Sequence, residues 1–107
     1  MTDNTSVRHI LLVKIAPQKT AQQIDEFIAA FRDLTKKIDG ILAFEYGQNN
    51  SPEGKDRGMT HVITLTFVDA AARDAYLPHP EHLSFGRWMR EKGILEDIIV
   101  VDYTPRE

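Results

Sequence analysis

VRHILLVKI, residues 7–15, is the stretch of sequence that decides the fold. Its β-branched and aliphatic residues favour a β-strand. Alternate side chains of a strand point to opposite faces, so His9 and Leu11 share one face while Ile10 and Leu12 share the other. Both faces of this strand are therefore apolar, and both need to be covered by other parts of the structure.

The rest of the chain alternates between strand and helix patterns. Thr20 and Gln23 fit a capping box, after which apolar residues recur at helical spacing as far as Ile38, and Gly40 is the expected left-handed end of that helix. The further predicted elements are a strand at 41–47, a loop at 48–58, a strand at 59–67, a short helix over 69–76, a helix over 81–92 and a strand at 94–103.

This order predicts an α+β protein with a ferredoxin-like βαββαβ fold. Right-handed crossovers give an antiparallel sheet with the helices on one face. The first and third strands are expected in the centre of the sheet, and the fourth strand beside the first.

Composition indicates one ordinary globular domain and excludes several functions. The chain has 107 residues, of which 42% are hydrophobic and 27% charged. The formal net charge is −3 and the basic residues are scattered, which argues against nucleic-acid binding. There is no cysteine, hence no thiolate catalysis or zinc–thiolate site. No secretory signal or membrane-length apolar run is present, so we expect a soluble, cytoplasmic protein with no membrane partner.

The last predicted strand, like the first, is apolar on both faces. Ile98 and Val100 alternate with Ile99 and Val101. An antiparallel sheet with helices on one side normally turns a polar face to water, and soluble monomers rarely expose a broad aliphatic patch. We therefore expect a homodimer that pairs through the sheet faces. The alternative is that the faces are misassigned and the second face is less apolar.

Histidines are the first candidates for chemistry. His9 and His61 lie on apolar strand faces, where an imidazole needs a partner and is more often structural than catalytic. The segment YLPHPEH, residues 76–82, adds His79 and His82 beside a tyrosine, on a backbone stiffened by two prolines. Histidine titrates near neutrality, and a tyrosine can donate a hydrogen bond to an oxyanion. The alternative is a rigid corner whose histidines point to solvent.

Asp102 is a carboxylate at the end of an apolar strand. In the predicted sheet it lies near His9, but it could instead reach His82 if the histidine-bearing corner folds back. A carboxylate bonded to one imidazole nitrogen fixes the tautomer and leaves the other nitrogen basic. An exposed strand-end charge is the alternative. His79 and His82 could also chelate a metal, but Pro80 between them and the lack of a third ligand favour no metal site.

Five motifs together resemble the stress-responsive A/B barrel (Dabb) family. They are RHILLVK at 8–14, FEYGQN at 44–49, GMTHV at 58–62, AYLPHPEH at 75–82 and VVDYTP at 100–105. The resemblance implies a single domain over residues 7–105, and the polar residues 1–6 before it predict a flexible N-terminus. Members of this family are homodimers of ferredoxin-like chains, so it also implies a dimeric α+β barrel.

The resemblance further implies a site. The family includes a cofactor-free polyketide cyclase that closes a linear chain by intramolecular aldol condensation. His82 matches its general base and Tyr76 its tyrosine, while Asp102, His9 and His61 match its supporting polar residues. The expected apolar lining for a small carbonyl-bearing ligand comprises Leu11, Val13, Phe27, Ile28, Phe31 and Trp88.

Two other functions stay open at this point. Some members of the family are stress-induced proteins with no settled chemistry, so the chain could be a homodimer that holds a ligand without turnover. A monooxygenase acting on a quinone-like substrate is a further alternative, and it rests on analogy of fold alone.

Overall fold

The computed structural model describes residues 4–106 as a four-stranded sheet with helices. The elements in order are β1 (Val7–Ile15), α1 (Ala21–Lys36), β2 (Ile41–Gln48), β3 (His61–Phe67), α2 (Ala70–Tyr76), α3 (Pro80–Lys92) and β4 (Leu95–Tyr103). The strand order is β2-β3-β1-β4 and every pair is antiparallel. This is the ferredoxin-like fold, with β1 and β3 central and β4 beside β1 as predicted. Within the predicted flexible N-terminus, residues 1–3 lie outside the described residues, and residues 4–6 form no helix or strand.

Helix α1 begins with the predicted capping box. The Thr20 hydroxyl accepts a hydrogen bond from the Gln23 backbone at 3.1 Å, and the Gln23 side chain accepts one from the Thr20 backbone at 2.9 Å. The predicted end at Gly40 is wrong, because the Lys37 N–H already bonds back to the Leu34 carbonyl in a final tight turn. The buried face of the helix consists of Phe27, Ile28, Phe31 and Leu34.

Gly40 has a different role, in the turn that leads into β2. Its φ of +89° lies in the left-handed region, and a Cβ built on it would be 2.6 Å from the Cβ of Ala72 in α2. The Gly40 carbonyl also accepts a hydrogen bond from Val68 at 2.8 Å. Glycine at this position therefore allows α2, which ends at Tyr76, to approach the sheet closely.

The core lies on the helix side of the sheet. Each odd-numbered residue of β1 from Val7 to Ile15 is buried there, and the even-numbered residues are only half-buried. On the opposite side, Ile10 faces Val101 and Leu12 faces Ile99 across the β1–β4 pair. Ile99 and Val101 are 39% and 53% exposed. The apolar second face predicted from the sequence is thus present, and nothing in the described chain covers it.

The remaining boundaries differ from the prediction by one or two residues. Strand β3 starts at His61 rather than at residue 59, because Met59 closes a turn onto the Asp56 carbonyl. Helix α3 starts at Pro80, because His79 serves as its N-cap. Within residues 4–106, no helix combines the length and the apolar character needed to cross a membrane.

Candidate active site

An apolar cavity of about 180 Å³ lies on the helix side of the sheet. Its lining comprises His9, Leu11, Phe27, Phe31, Tyr76, Leu77, His82, Phe85, Gly86, Met89, Leu95, Ile98 and Val100. A protein cavity of roughly 150 Å³ can hold benzene. The space therefore suits a ligand of about monocyclic size, and the titratable side chains in its described lining are two imidazoles and one phenol.

His82 is the half-buried imidazole of this cavity, and the start of α3 positions it. The His79 ring caps the helix by accepting a hydrogen bond from the Glu81 N–H at 3.1 Å, and Pro80 fits the first helical position. His82 Nδ1 lies 2.9 Å from the Leu77 carbonyl oxygen. A carbonyl can only accept, so Nδ1 carries the proton and Nε2 of the neutral ring keeps its lone pair.

Tyr76 stacks against His82, with ring centroids 4.2 Å apart. It is 1% exposed and also packs against Phe67 at 5.1 Å and His9 at 5.9 Å. Burial raises the pKa of Tyr76, so its hydroxyl keeps the proton at neutral pH. Tyr76 lines the cavity, where a protonated phenol can donate a hydrogen bond to a ligand.

His9 is the second imidazole of the cavity, and it is tied to Asp102. The β1–β4 register places the two residues opposite each other, and His9 Nδ1 lies 2.7 Å from Asp102 Oδ1. Asp102 Oδ2 accepts a hydrogen bond from Arg73 Nη1 at 2.8 Å. Of the two partners that the sequence left open for Asp102, the structure therefore places His9 in contact, while His82 bonds to Leu77. Asp102 does not line the cavity itself and reaches it through His9.

Arg73 was not singled out from the sequence. Two hydrogen bonds raise the pKa of Arg73, the one to Asp102 having the larger effect and the one to Asp74 the smaller. The guanidinium is therefore always charged. Its Nε donates to Asp74 at 2.8 Å. A polar network behind the cavity therefore connects Arg73 on α2 to the His9 imidazole through the Asp102 carboxylate.

His61 lies outside the cavity. It is buried at the start of β3, with Nδ1 2.8 Å from the Thr60 hydroxyl oxygen and its ring stacked at 6.4 Å against Tyr46. Burial lowers the pKa of His61. This environment favours a neutral, structural histidine.

Three of the predicted apolar lining residues also lie elsewhere. Val13 and Ile28 are packed into the core away from the cavity. Trp88 faces an outer groove between α1 and α3, next to Lys37 and Glu81. Leu11, Phe27 and Phe31 do line the cavity, as expected. Within residues 4–106, no three His, Asp or Glu side chains converge as a metal site would require.

A profile of the stress responsive A/B barrel domain matches residues 7–105. The protein belongs to this family. Olivetolic acid cyclase from Cannabis sativa is 28% identical over 102 residues, which is 95% of this chain and 99% of the cyclase. The structure of a hydroxynitrile lyase from Passiflora edulis is 27% identical, with a TM-score of 0.84, over 98% of this chain and 97% of the lyase. A dimeric ferredoxin-like protein of unknown function from Jannaschia sp. CCS1 is 28% identical, with a TM-score of 0.74, over 92% of this chain and 97% of that protein.

About half of the residues that line the cavity were not predicted from the sequence. The missed residues are Leu77, Phe85, Gly86, Met89, Leu95, Ile98 and Val100. Helical spacing offered a signal, since Phe85, Gly86 and Met89 lie three, four and seven positions after His82 and share its helix face. Strand alternation offered another, because Ile98 and Val100 share a face with Asp102.

Proposed function

We propose that the protein is a homodimeric, cofactor-independent enzyme that makes or breaks a carbon–carbon bond beside the carbonyl group of a small, apolar substrate. Aldol-type ring closure of a short polyketide is the form of this reaction that similarity to olivetolic acid cyclase favours. The observation that carries the proposal is the position of His82. It lines an apolar cavity with Nδ1 engaged by Leu77, which leaves Nε2 as the base.

The chemistry needs a base and a hydrogen-bond donor. His82 Nε2 removes a proton from the carbon next to a carbonyl group, and the Tyr76 hydroxyl stabilises the enolate oxygen. The enolate carbon then attacks a second carbonyl carbon, and the new alkoxide takes the proton back from the imidazolium. A positioned base contributes about 10²–10⁴-fold, and ordering a flexible chain for ring closure contributes further.

The similarity to a hydroxynitrile lyase supports the use of the same two groups, His82 and Tyr76, to cleave a carbon–carbon bond. A hydroxynitrile carries a hydroxyl and a nitrile on one carbon. Removal of the hydroxyl proton by His82 would expel cyanide and leave a carbonyl compound, with the imidazolium protonating the cyanide. Both reactions use one neutral imidazole and need no cofactor.

The cavity volume limits the size of the substrate. Ligand pockets usually measure about 300–1,000 Å³, whereas this cavity measures about 180 Å³. A substrate of monocyclic size fits, and a longer polyketide needs room at the open side along β4, where Ile98 and Val100 are 41% and 51% exposed. Membership of the stress responsive A/B barrel family favours, as the second candidate, a stress-responsive homodimer that holds a small ligand without turnover.

Turnover by matched variants tests the proposal. Wild type, His82→Ala and His79→Ser are incubated with triketide-CoA, tetraketide-CoA and an aromatic cyanohydrin, and products are quantified. His79→Ser is the control, because serine preserves the helix cap while removing an imidazole that lies outside the cavity. We expect His82→Ala to lose about 10²–10⁴-fold in kcat, with the control close to wild type. Equal product from wild type and His82→Ala would remove the role of His82, and saturable binding without product would favour the second candidate.

A further inference from the structure

The network behind the cavity assigns a function to Arg73. We infer that Arg73 is a positioning residue that, through Asp102, holds His9 as a neutral imidazole protonated on Nδ1, so that the cavity selects ligands carrying a hydroxyl or enol group over carboxylates. The inference deepens the proposed function and rests on it only in taking the cavity as the ligand site.

The geometry of the carboxylate is the first step. Asp102 uses one oxygen for each partner, Oδ1 for His9 at 2.7 Å and Oδ2 for Arg73 at 2.8 Å. The side chains of His9, Asp102 and Arg73 are 7%, 20% and 24% exposed. A carboxylate oxygen can only accept, so the proton shared with His9 belongs to Nδ1.

The charges are the second step. A lone carboxylate against an imidazole favours the imidazolium, because opposite charges attract. Here the Arg73 guanidinium on the other oxygen compensates that negative charge. The aromatic neighbours of His9 are the rings of Phe67 and Tyr76, which bring no charge because Tyr76 keeps its proton, and Leu65 lies opposite His9 on β3. With Arg73 in place, the apolar surroundings therefore favour the neutral ring.

The consequence for ligands is the third step. A neutral His9 protonated on Nδ1 presents only a lone pair at Nε2, as His82 does. Among the described side chains of the lining, the two imidazoles then both accept and Tyr76 donates. A hydroxyl or enol group satisfies such a site, whereas a carboxylate would face two lone pairs. Without Arg73, an imidazolium at His9 would donate a charge-assisted hydrogen bond and attract anions.

Nitrogen-15 spectra of the histidine rings test this without any substrate. In wild type at about pH 7.5, we expect His9 to be neutral with the proton on Nδ1. In Arg73→Met we expect the pattern of an imidazolium. Asp74→Asn is the matched control, because it removes the exposed partner of Arg73 and leaves the Asp102 contact in place. Circular dichroism verifies that each variant is folded.

Two results would overturn the inference. A wild-type His9 that is cationic or protonated on Nε2 would do so, and this measurement depends on no variant. A folded Arg73→Met protein whose His9 spectrum matches wild type would also do so. Neither result bears on His82, whose role is decided by turnover.

Binding of two monocyclic probes supplies a second readout. Phenol and benzoate are titrated into wild type, Arg73→Met and Asp74→Asn by calorimetry at one ionic strength. We expect wild type and Asp74→Asn to prefer phenol. In Arg73→Met the ratio of benzoate to phenol affinity should rise by about tenfold, the effect of gaining one charge-assisted hydrogen bond. An unchanged ratio in a folded Arg73→Met protein would contradict the inferred selection.

Discussion

At Tyr76, one substitution can separate the effect of the hydrogen-bond donor from the effect of side-chain packing. The tyrosine ring packs against Phe67, His9 and His82, and the residue lines the cavity. Tyr76→Phe keeps the ring and removes the donor, so we expect kcat to fall by about 10²–10³-fold, the usual cost of losing one oxyanion donor. The melting temperature should change little. Steady-state kinetics and thermal unfolding check both expectations.

The control for this prediction is Tyr46→Phe. Tyr46 is 41% exposed on β2 and lies outside the cavity lining. Its variant should keep the wild-type kcat. A Tyr76→Phe enzyme as fast as wild type would show that the oxyanion is stabilised by another group.

His61 is expected to make the free energy of unfolding depend on pH. Burial lowers its pKa from the ordinary value of 6.5, so the unfolded chain binds a proton that the folded chain resists. Below pH 6.5 the unfolded state therefore holds more protons, and the free energy of unfolding falls as the pH falls. Urea unfolding between about pH 7.5 and about pH 5.5 measures this slope. His61→Gln, compared with its own stability at the higher pH, should show a flatter dependence; an equally steep one would contradict the assignment.

The polar part of the candidate site could be anticipated from sequence, and its connections could not. Two prolines and two histidines within residues 76–82 marked the corner, and Asp102 stood out as a carboxylate on an apolar strand. Arg73 gave no such signal, because an arginine in an alanine-rich helix is typical of a solvated surface. Its contact with Asp102 spans 29 residues of sequence and arises only because α2 packs on β1 and β3, which brings Arg73 within reach of the end of β4.

At the scale of elements, the approach of α2 to the turn before β2 is the tightest constraint. Gly40→Ala adds a methyl group that would lie 2.6 Å from the Ala72 side chain, on a backbone with φ +89°. The left-handed conformation costs about 1–2 kcal/mol for a non-glycine residue, and overpacking adds about 1–3 kcal/mol. Because α2 ends at Tyr76, the displacement should also disturb the cavity. Urea unfolding reports the loss of stability, and calorimetric titration with phenol reports the change in the cavity.

Gly54→Ala is the matched control for this substitution. Gly54 has a similar φ of +73°, but a Cβ there would meet nothing within 4 Å. Its variant should lose only the conformational part, about 1–2 kcal/mol. Equal losses from Gly40→Ala and Gly54→Ala would mean that α2 moves away without cost.

The elements themselves followed from sequence because their signals were local. The strict alternation in β1 and the capping box of α1 specified two elements to within a residue at their starts. The end of α1 was misplaced for a physical reason. Ile38 falls at helical spacing and is buried, but it reaches the core from the turn after the helix. Hydrophobic periodicity indicates which residues are buried, and a residue just beyond the end of a helix can be buried as well.

At the scale of the whole molecule, the distribution of apolar surface is unbalanced. The helices cover one face of the sheet, and the other face exposes Ile99, Val101 and Tyr103 beside the half-buried Ile10 and Leu12. A patch of this kind marks an interaction surface. The dimeric state of the Jannaschia relative is consistent with a second copy as its cover. The cavity lies on the helix side, so pairing through this patch would leave its lining in place.

Val101→Asp tests that pairing directly. Val101 is 53% exposed at the centre of the apolar patch. A carboxylate buried there without a partner would cost about 3–5 kcal/mol in each copy, which weakens a dimer by more than about a hundredfold. We expect light scattering after size exclusion to give a dimer for wild type and a monomer for Val101→Asp at the same concentration. Leu83→Asp is the control, because Leu83 is 52% exposed on α3, on the helix side of the sheet. It should remain dimeric. If Val101→Asp stays dimeric while Leu83→Asp dissociates, the chains pair through their helices, and the apolar sheet face must be covered in another way.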